Sequence, residues 1–210
     1  MTKADQPETR HYKLGNEFPQ YKPHSKTMSQ QQTSHSSTLI LRPSLAADLT
    51  AITEIYGWNV LHGTGTFELE APDLPEMTRR RTDVLSKELP WLVAEEGGVI
   101  LGYAYANHFR PRPAYRYCLE DSIYLADSAR GKGVGKLLLS ELMARCEALG
   151  ARQMLGVIGD SENASSIALH ASLGFERCGI LQASGWKFNR WLDVVLMQRP
   201  LGLGSQTSPT

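Results

Sequence analysis

The alternation of apolar and polar positions along the chain predicts a succession of strands and helices from residue 39 onward. Short apolar runs bounded by Gly, Pro or charged residues predict strands, and apolar residues recurring every three to four positions predict amphipathic helices. The clearest helical stripe runs from Val134 to Leu149, and Gly150 follows it, where glycine commonly ends a helix. The predicted strands are 39–43, 91–95, 99–107, 118–126, 154–158, 175–181 and 191–197, and the predicted helices begin near 48, 72, 133 and 163.

This order of elements predicts an α/β fold with one mixed central sheet of about six to seven strands, flanked by helices on both faces. The segment before it differs in composition. Residues 1–38 contain seven apolar residues and no Val, Ile or Trp, so they cannot bury enough apolar surface to offset chain entropy. We therefore predict a disordered polar tail over 1–38, one domain over 39–200 and a flexible C-terminal tail over 201–210.

The charge balance restricts the partners of the chain. Its 22 Lys and Arg residues equal its 22 Asp and Glu residues, which argues against nucleic-acid binding and against attraction to anionic membranes. We find no apolar run of membrane-spanning length and no secretory signal pattern, so we expect a cytoplasmic protein. The odd number of cysteines, none in C-x-x-C spacing, favours free thiols over disulfides and predicts no metal site.

A glycine-rich segment lies between a predicted strand and the long helix, and it reads Arg130-Gly131-Lys132-Gly133-Val134-Gly135. Glycines there expose backbone N–H groups, and the positive end of the helix dipole adds to an anion site suited to pyrophosphate. The alternative is a tight turn without a ligand. Neither the Walker loop GxxxxGK(S/T) nor the dinucleotide fingerprint GxGxxG fits, whereas Arg/Gln-x-x-Gly-x-Gly/Ala does. That pattern resembles the acyl-CoA loop of the GNAT N-acetyltransferases.

Further segments make the resemblance more specific, and together they are similar to the phosphinothricin N-acetyltransferase branch of that superfamily. The resemblance covers roughly residues 39–200, which are accordingly identified as a GNAT acetyltransferase domain. The segments lie at 102–106, 117–125, 157–159, 169–175, 185–187 and 191–194.

The resemblance implies roles for residues around this loop. Glu120 matches the carboxylate that serves as the general base, directly or through a water. The alternative is that Glu120 is an exposed strand residue without a catalytic role. The main chain of Ile123, Tyr124 and Leu125 is expected to contact the pantetheine arm of acetyl-CoA. Asn163 matches an asparagine that contacts CoA, and it is equally suited to cap a helix.

The resemblance leaves the general acid open, because no tyrosine occurs between residues 164 and 170. His170 matches a histidine of the branch that would assist proton transfer or orient groups, and a buried structural histidine is an equal alternative. Arg110 and Arg112 occupy a loop where relatives carry basic substrate contacts, and Phe67 and Tyr115 match residues of the same pocket. For each of these four, a solvated loop position stays open as the alternative.

The function implied is transfer of the acetyl group of acetyl-CoA to the α-amine of a small amino-acid-like molecule. Phosphinothricin and methionine sulfoximine or sulfone are the substrates implied, and a homodimer is the expected assembly. Two alternatives remain: acetylation of a polyamine or a protein N-terminus, and a non-catalytic acyl-CoA-binding module. A polyamine site should be lined by acidic residues, whereas this loop carries arginines, and the presence of Glu120 argues against the module.

Overall fold

The computed structural model describes residues 8–13 and 38–209 of the chain. Its strands are β1 (Arg10–Tyr12), β2 (Leu39–Pro43), β3 (Trp91–Glu96), β4 (Val99–His108), β5 (Cys118–Leu125), β6 (Gln153–Gly159), β7 (Glu176–Lys187) and β8 (Arg190–Pro200). Its α-helices are α1 (Leu49–His62), α2 (Leu74–Ser86), α3 (Val134–Ala148) and α4 (Ala164–Ser172). From residue 39 onward, the order of elements is the predicted one.

The strands of the described residues form one eight-stranded sheet in the order β1-β2-β3-β4-β5-β6-β8-β7. Neighbouring strands are antiparallel except β5 and β6, which run parallel. The pairing of β5 with β6 ends at Asp121 opposite Gly156. Residues 122–125 of β5 therefore have no partner on β6, and the sheet opens into a wedge at this point.

Helices cover both faces of the sheet, as the side chains of β4 illustrate. Tyr103 meets Tyr124 of β5 at 5.4 Å between ring centroids, and Tyr124 meets Tyr56 of α1 at 4.8 Å. Helices α1 and α2 pack on this face of the sheet. Because side chains alternate along a strand, Ala104 and Ala106 point to the other face, where both are fully buried and α3 packs closely. The predicted α/β architecture is confirmed.

Strand β1 differs from the sequence prediction, because it lies within the segment predicted to be a disordered tail. Its three residues pair with β2, and Nη1 of Arg10 lies 3.0 Å from Oε2 of the buried Glu141 on α3. Tyr12 packs against the core. Composition averaged over 38 residues hides such a contact, because it depends on an open sheet edge and a buried carboxylate elsewhere in the chain. The remainder of the predicted tail, 1–7 and 14–37, lies outside the described residues.

The C-terminal part of the chain also differs from the prediction. Leu201, in the predicted flexible tail, is 2% exposed, and the Arg152 guanidinium donates a hydrogen bond to Oγ1 of Thr207 at 3.2 Å. Strand β7 continues beyond its predicted end after a bulge at residues 182–184. It turns into β8 through Phe188 and Asn189, whose φ angles of 51° and 57° suit a two-residue hairpin. Across residues 8–13 and 38–209, we find no helix long and apolar enough to cross a bilayer.

Candidate active site

A cleft of about 330 Å³ occupies the wedge between β5 and β6. Its walls come from the ends of these strands, from the loop after α1 and from the start of α4. A cleft at this position exists because the two strands diverge after four paired residues, which leaves the middle of the sheet open. Among the residues singled out from the sequence, those that line it are Phe67, Glu120, Ile123, Tyr124, Asn163 and His170.

Glu120 is half-buried in the cleft, and side-chain alternation along β5 puts it on the same face as Tyr124, towards α1. Burial raises the pKa of Glu120, the charge of Asp121 raises it further, and the charge of Arg110 partly opposes both effects. Because the net shift is upward, Glu120 is a stronger proton acceptor than an exposed glutamate.

Asp121 points to the opposite face of β5, where it meets His170 of α4. Oδ2 of Asp121 lies 3.1 Å from Nε2 of His170, and Nδ1 lies 2.7 Å from the Ser166 carbonyl oxygen. A carbonyl can only accept, so Nδ1 carries a proton and Nε2 carries a second one when Asp121 is ionised. Burial alone would lower the pKa of His170, but the hydrogen bond and charge of Asp121 outweigh burial and raise it. Both ring nitrogens of His170 are therefore engaged, one by Asp121 and the other by the Ser166 carbonyl oxygen.

The glycine-rich loop links β5 to α3. Gly131 and Gly133 have φ angles of 72° and 80°, in the left-handed region where glycine is unstrained. Gly133 is the N-cap of α3, so the free N–H groups of the first helical turn belong to this loop. A Cβ on Gly135 would lie 3.3 Å from Cδ1 of Leu125, so the third glycine permits close packing of α3 on β5. Lys132 is exposed beside them, and Val134 is buried.

Asn163 precedes α4 and caps it. Its Oδ1 accepts a hydrogen bond from the Ser166 N–H at 3.3 Å, and its Nδ2 donates to the Gly159 carbonyl oxygen at 3.3 Å. The helix-cap interpretation is therefore confirmed. Because Asn163 also lines the cleft, its expected contact with CoA is sterically compatible and stays a prediction.

The four predicted substrate residues do not all meet. Phe67 lines the cleft, whereas Arg110, Arg112 and Tyr115 are exposed on the loop between β4 and β5. The Arg110 guanidinium lies 4.2 Å from the ring centroid of Phe109, and its charge reaches Glu120. The structure thus brings one of the four residues into the cleft and leaves three on a flanking loop.

Comparisons with known proteins decide the family. The model of the acetyltransferase (GNAT) family matches residues 53–175, which is more than half of the chain. The chain belongs to the GNAT acetyltransferase family. The glycine loop before α3 and the cleft between diverging strands are thus features of an acetyltransferase.

Its relatives identify the branch. The phosphinothricin N-acetyltransferase of Alcaligenes faecalis is 54% identical over 162 residues, which span 77% of this chain and 82% of that protein. The L-methionine sulfoximine/L-methionine sulfone acetyltransferase of Salmonella typhimurium is 39% identical over 155 residues, 74% of this chain and 90% of that one. A crystal structure of a GNAT phosphinothricin acetyltransferase from Sinorhizobium meliloti in complex with AcCoA has a TM-score of 0.79 and 54% identity, covering 81% of this chain and 92% of that one. This GNAT chain therefore belongs to the phosphinothricin N-acetyltransferase branch, which confirms the resemblance.

The loop of this acetyltransferase fits the diphosphate of a CoA molecule. A Cβ on Gly131 or Gly133 would meet nothing within 4 Å, so the loop faces open space on that side. Arg130 and Lys132 flank that space with positive charge, and the N-terminus of α3 supplies backbone donors.

The sequence did not single out the residues that hold Arg130 in this GNAT loop. Arg130 lies over the indole ring of Trp58, 4.6 Å from its centroid, and donates a hydrogen bond to Oδ1 of Asn59 at 3.0 Å. Nδ2 of Asn59 in turn donates to the Leu125 carbonyl oxygen at 3.2 Å. Helix α1 therefore connects the end of β5 to the glycine-rich loop. No sequence pattern signals this contact, because Asn59 and Arg130 are 71 positions apart.

Proposed function

We propose that this enzyme transfers the acetyl group of acetyl-CoA to the α-amine of phosphinothricin, of methionine sulfoximine or sulfone, or of a closely related amino acid. The names of its relatives supply the substrate class. The single observation that carries the proposal is the position of Glu120. Its carboxylate stands in the wedge between β5 and β6, with its pKa raised, on the strand that leads to the CoA loop.

Bound acetyl-CoA supplies the thioester carbonyl that an amine attacks. The loop from Arg130 to Gly135 binds its diphosphate, and Asn163 borders the path of its pantetheine arm. The unpaired stretch of β5, Ile123 to Leu125, offers main-chain groups to that arm. A main-chain N–H directed at the thioester oxygen stabilises the negative charge that develops there.

Glu120 accepts a proton from the substrate ammonium, directly or through one water, which leaves a neutral amine. The amine nitrogen forms a bond to the thioester carbon, and the carbon–sulfur bond then breaks. The sulfur leaves as a thiolate, the new amide nitrogen loses its second proton, and one proton reaches the thiolate to give CoA thiol. His170, which lines the cleft, orients groups there and does not relay the proton, because both its ring nitrogens are engaged by Asp121 and the Ser166 carbonyl oxygen.

Arg110 and Arg112 recognise the carboxylate and the phosphinate or sulfonyl oxygens of the substrate. Guanidinium groups suit such anions because they donate paired hydrogen bonds. Phe67 in the cleft and Tyr115 on the flanking loop contact the apolar part of the substrate. Positive charge at this loop disfavours a polyamine.

We propose that the enzyme is a homodimer. The β7–β8 hairpin carries a group of exposed apolar side chains, including Trp186 at 50%, Phe188 at 51% and Trp191 at 63% exposure. Apolar groups of this kind mark association surfaces. Light scattering after size-exclusion chromatography should give twice the chain mass for wild type and the chain mass for Trp191→Ser. A wild-type monomer would refute the proposal.

We also propose that the enzyme works in the cytoplasm. All three cysteines are free, and Cys146 is buried, which suits a reducing compartment. Fractionation of cells that express the full chain should recover it with cytoplasmic markers.

Steady-state release of CoA thiol, measured across a panel of amino acids and polyamines, tests the activity. Glu120→Gln keeps the size of the side chain but removes the base, so kcat should fall by about 100-fold or more. The Kd for acetyl-CoA should stay within about twofold, because Glu120 is not part of the CoA loop. Glu176→Gln, on the exposed start of β7, is the matched control. An unchanged kcat near neutral pH in Glu120→Gln would exclude Glu120 as the base.

A further inference from the structure

Lys187, the last residue of β7, has an unusual position for a lysine. It is 3% exposed, and its Nζ donates a hydrogen bond to the Thr66 carbonyl oxygen at 2.8 Å. A buried ammonium is costly, and it persists where hydrogen bonds and neighbouring charges compensate. Thr66 lies in the loop between α1 and α2, so this contact joins two segments that are 121 positions apart.

The Phe188 ring and the charge of Glu68 also favour the ammonium form of Lys187 at this position. The hairpin turn that follows it brings the Phe188 ring to 5.0 Å from Nζ. Burial lowers the pKa of Lys187, and the charge of Glu68 opposes that effect. The ammonium is therefore enclosed between the turn and the α1–α2 loop.

The same loop is fixed from its other side by α1 and α2. Oγ1 of Thr66 lies 2.9 Å from the Tyr56 hydroxyl, which donates to Oε1 of Glu68 at 2.9 Å. Nη1 of Arg80 on α2 also donates to Oε1 of Glu68, at 2.6 Å. Lys187 supplies the corresponding anchor on the β7 side. Without it, the carbonyl oxygen of Thr66 loses its partner there.

Between these anchors, Phe67 extends over the cleft. A Cβ on Gly159 would lie 2.9 Å from Cε1 of Phe67, and a Cβ on Gly185 would lie 2.4 Å from its Cδ2. The Phe67 ring therefore occupies space that is available only because β6 and β7 carry glycine at these two positions. Its neighbour Thr66 lines the same cleft as Glu120.

We propose that Lys187 is a positioning residue for the amine substrate, because its buried ammonium holds the Thr66–Phe67 wall of the cleft in register with Glu120. This inference rests on the proposed function, since the proposed function names the amine substrate that the wall would contact. It concerns substrate affinity and not the acyl-transfer step, because Lys187 does not itself line the cleft.

Lys187→Met tests this inference, because methionine fills most of the lysine volume but donates no hydrogen bond. The KM for the amine should rise by about tenfold or more, whereas kcat changes by less than about twofold, which indicates lost binding. The Kd for acetyl-CoA should stay unchanged. Hydrogen exchange at residues 63–68 should become faster. Lys87→Met, at the end of α2 and outside the cleft, is the matched control and should alter none of these values.

The outcomes separate the two proposals. If wild type releases no CoA thiol with any amine of the panel, the proposed function fails, and hydrogen exchange still tests the anchor. An active Lys187→Met enzyme with unchanged KM and unchanged exchange at residues 63–68 overturns the inference. A fall in kcat alone, with KM unchanged, also overturns it and indicates a merely structural role. Should the methionine variant not fold, Lys187→Gln, whose donor is one bond too short to reach Thr66, receives the same measurements.

Discussion

Replacement of Gly185 by alanine perturbs the Thr66–Phe67 wall of the cleft from the side of β7. The added methyl group would lie 2.4 Å from Cδ2 and Cε2 of Phe67 and 3.0 Å from its Cζ. Gly179 on the same strand provides the control, because a Cβ there would meet nothing within 4 Å. Neither glycine has a φ angle in the left-handed region, so alanine creates no backbone strain at either site.

The size of the effect follows from these distances. Ordinary van der Waals contact begins at 3.4 Å, so the Phe67 ring must retreat by 3.4 − 2.4 = 1.0 Å. Overpacking of this kind costs about 1–3 kcal/mol, and about 1.4 kcal/mol corresponds to a tenfold change in an equilibrium. A displacement of about 1 Å in a substrate-positioning residue can reduce the rate by about 100-fold. We therefore expect kcat/KM for the amine to fall between about 10-fold and 100-fold.

The assay is amine-dependent release of CoA thiol at saturating acetyl-CoA, combined with thermal unfolding of both variants. Gly185→Ala should lower kcat/KM for the amine and lower the Tm, whereas Gly179→Ala should leave both near wild type. The affinity for acetyl-CoA should be unchanged in both proteins. If Gly185→Ala has the same kcat/KM as Gly179→Ala, the Phe67 ring does not form the wall of the substrate site.

Two further predictions concern the base and the CoA loop. In the proposed mechanism Glu120 is the base and acts in its ionised form, so kcat/KM should rise with pH through the pKa of Glu120. Asp121→Asn removes a charge that raises this pKa and should shift the acid limb of the profile to lower pH. Arg110→Gln removes a charge that lowers this pKa and should shift the limb to higher pH. Shifts in the opposite directions would refute the electrostatic account. Gly133→Ala and Gly98→Ala both place alanine at a φ near 80°, with values of 80° and 83°, so each should lose about 1 kcal/mol of stability, but only Gly133→Ala should raise the KM for acetyl-CoA. Equal KM values for the two variants would mean that the loop does not bind CoA.

Local patterns were sufficient to predict most of the elements of this fold. The apolar stripe of α3, the glycine loop before it and the strand that carries Glu120 are each contained within about twenty residues, so neighbouring positions in the chain encode them. For the extent of β7, the local pattern was misleading. A bulge at residues 182–184 interrupted the apolar run of β7, and the hairpin turn at Phe188 and Asn189 contains no glycine.

The sequence by itself determined the glycine loop, the order of strands and helices and, through resemblance, the acetyltransferase branch. Only the tertiary structure decided which residues share the cleft. The contact of His170 with Asp121 joins positions 49 apart, and that of Lys187 with Thr66 joins positions 121 apart. Residues 10–12 likewise become a strand only because β2 offers an open edge. Such contacts depend on how distant elements pack, and no local periodicity encodes that packing.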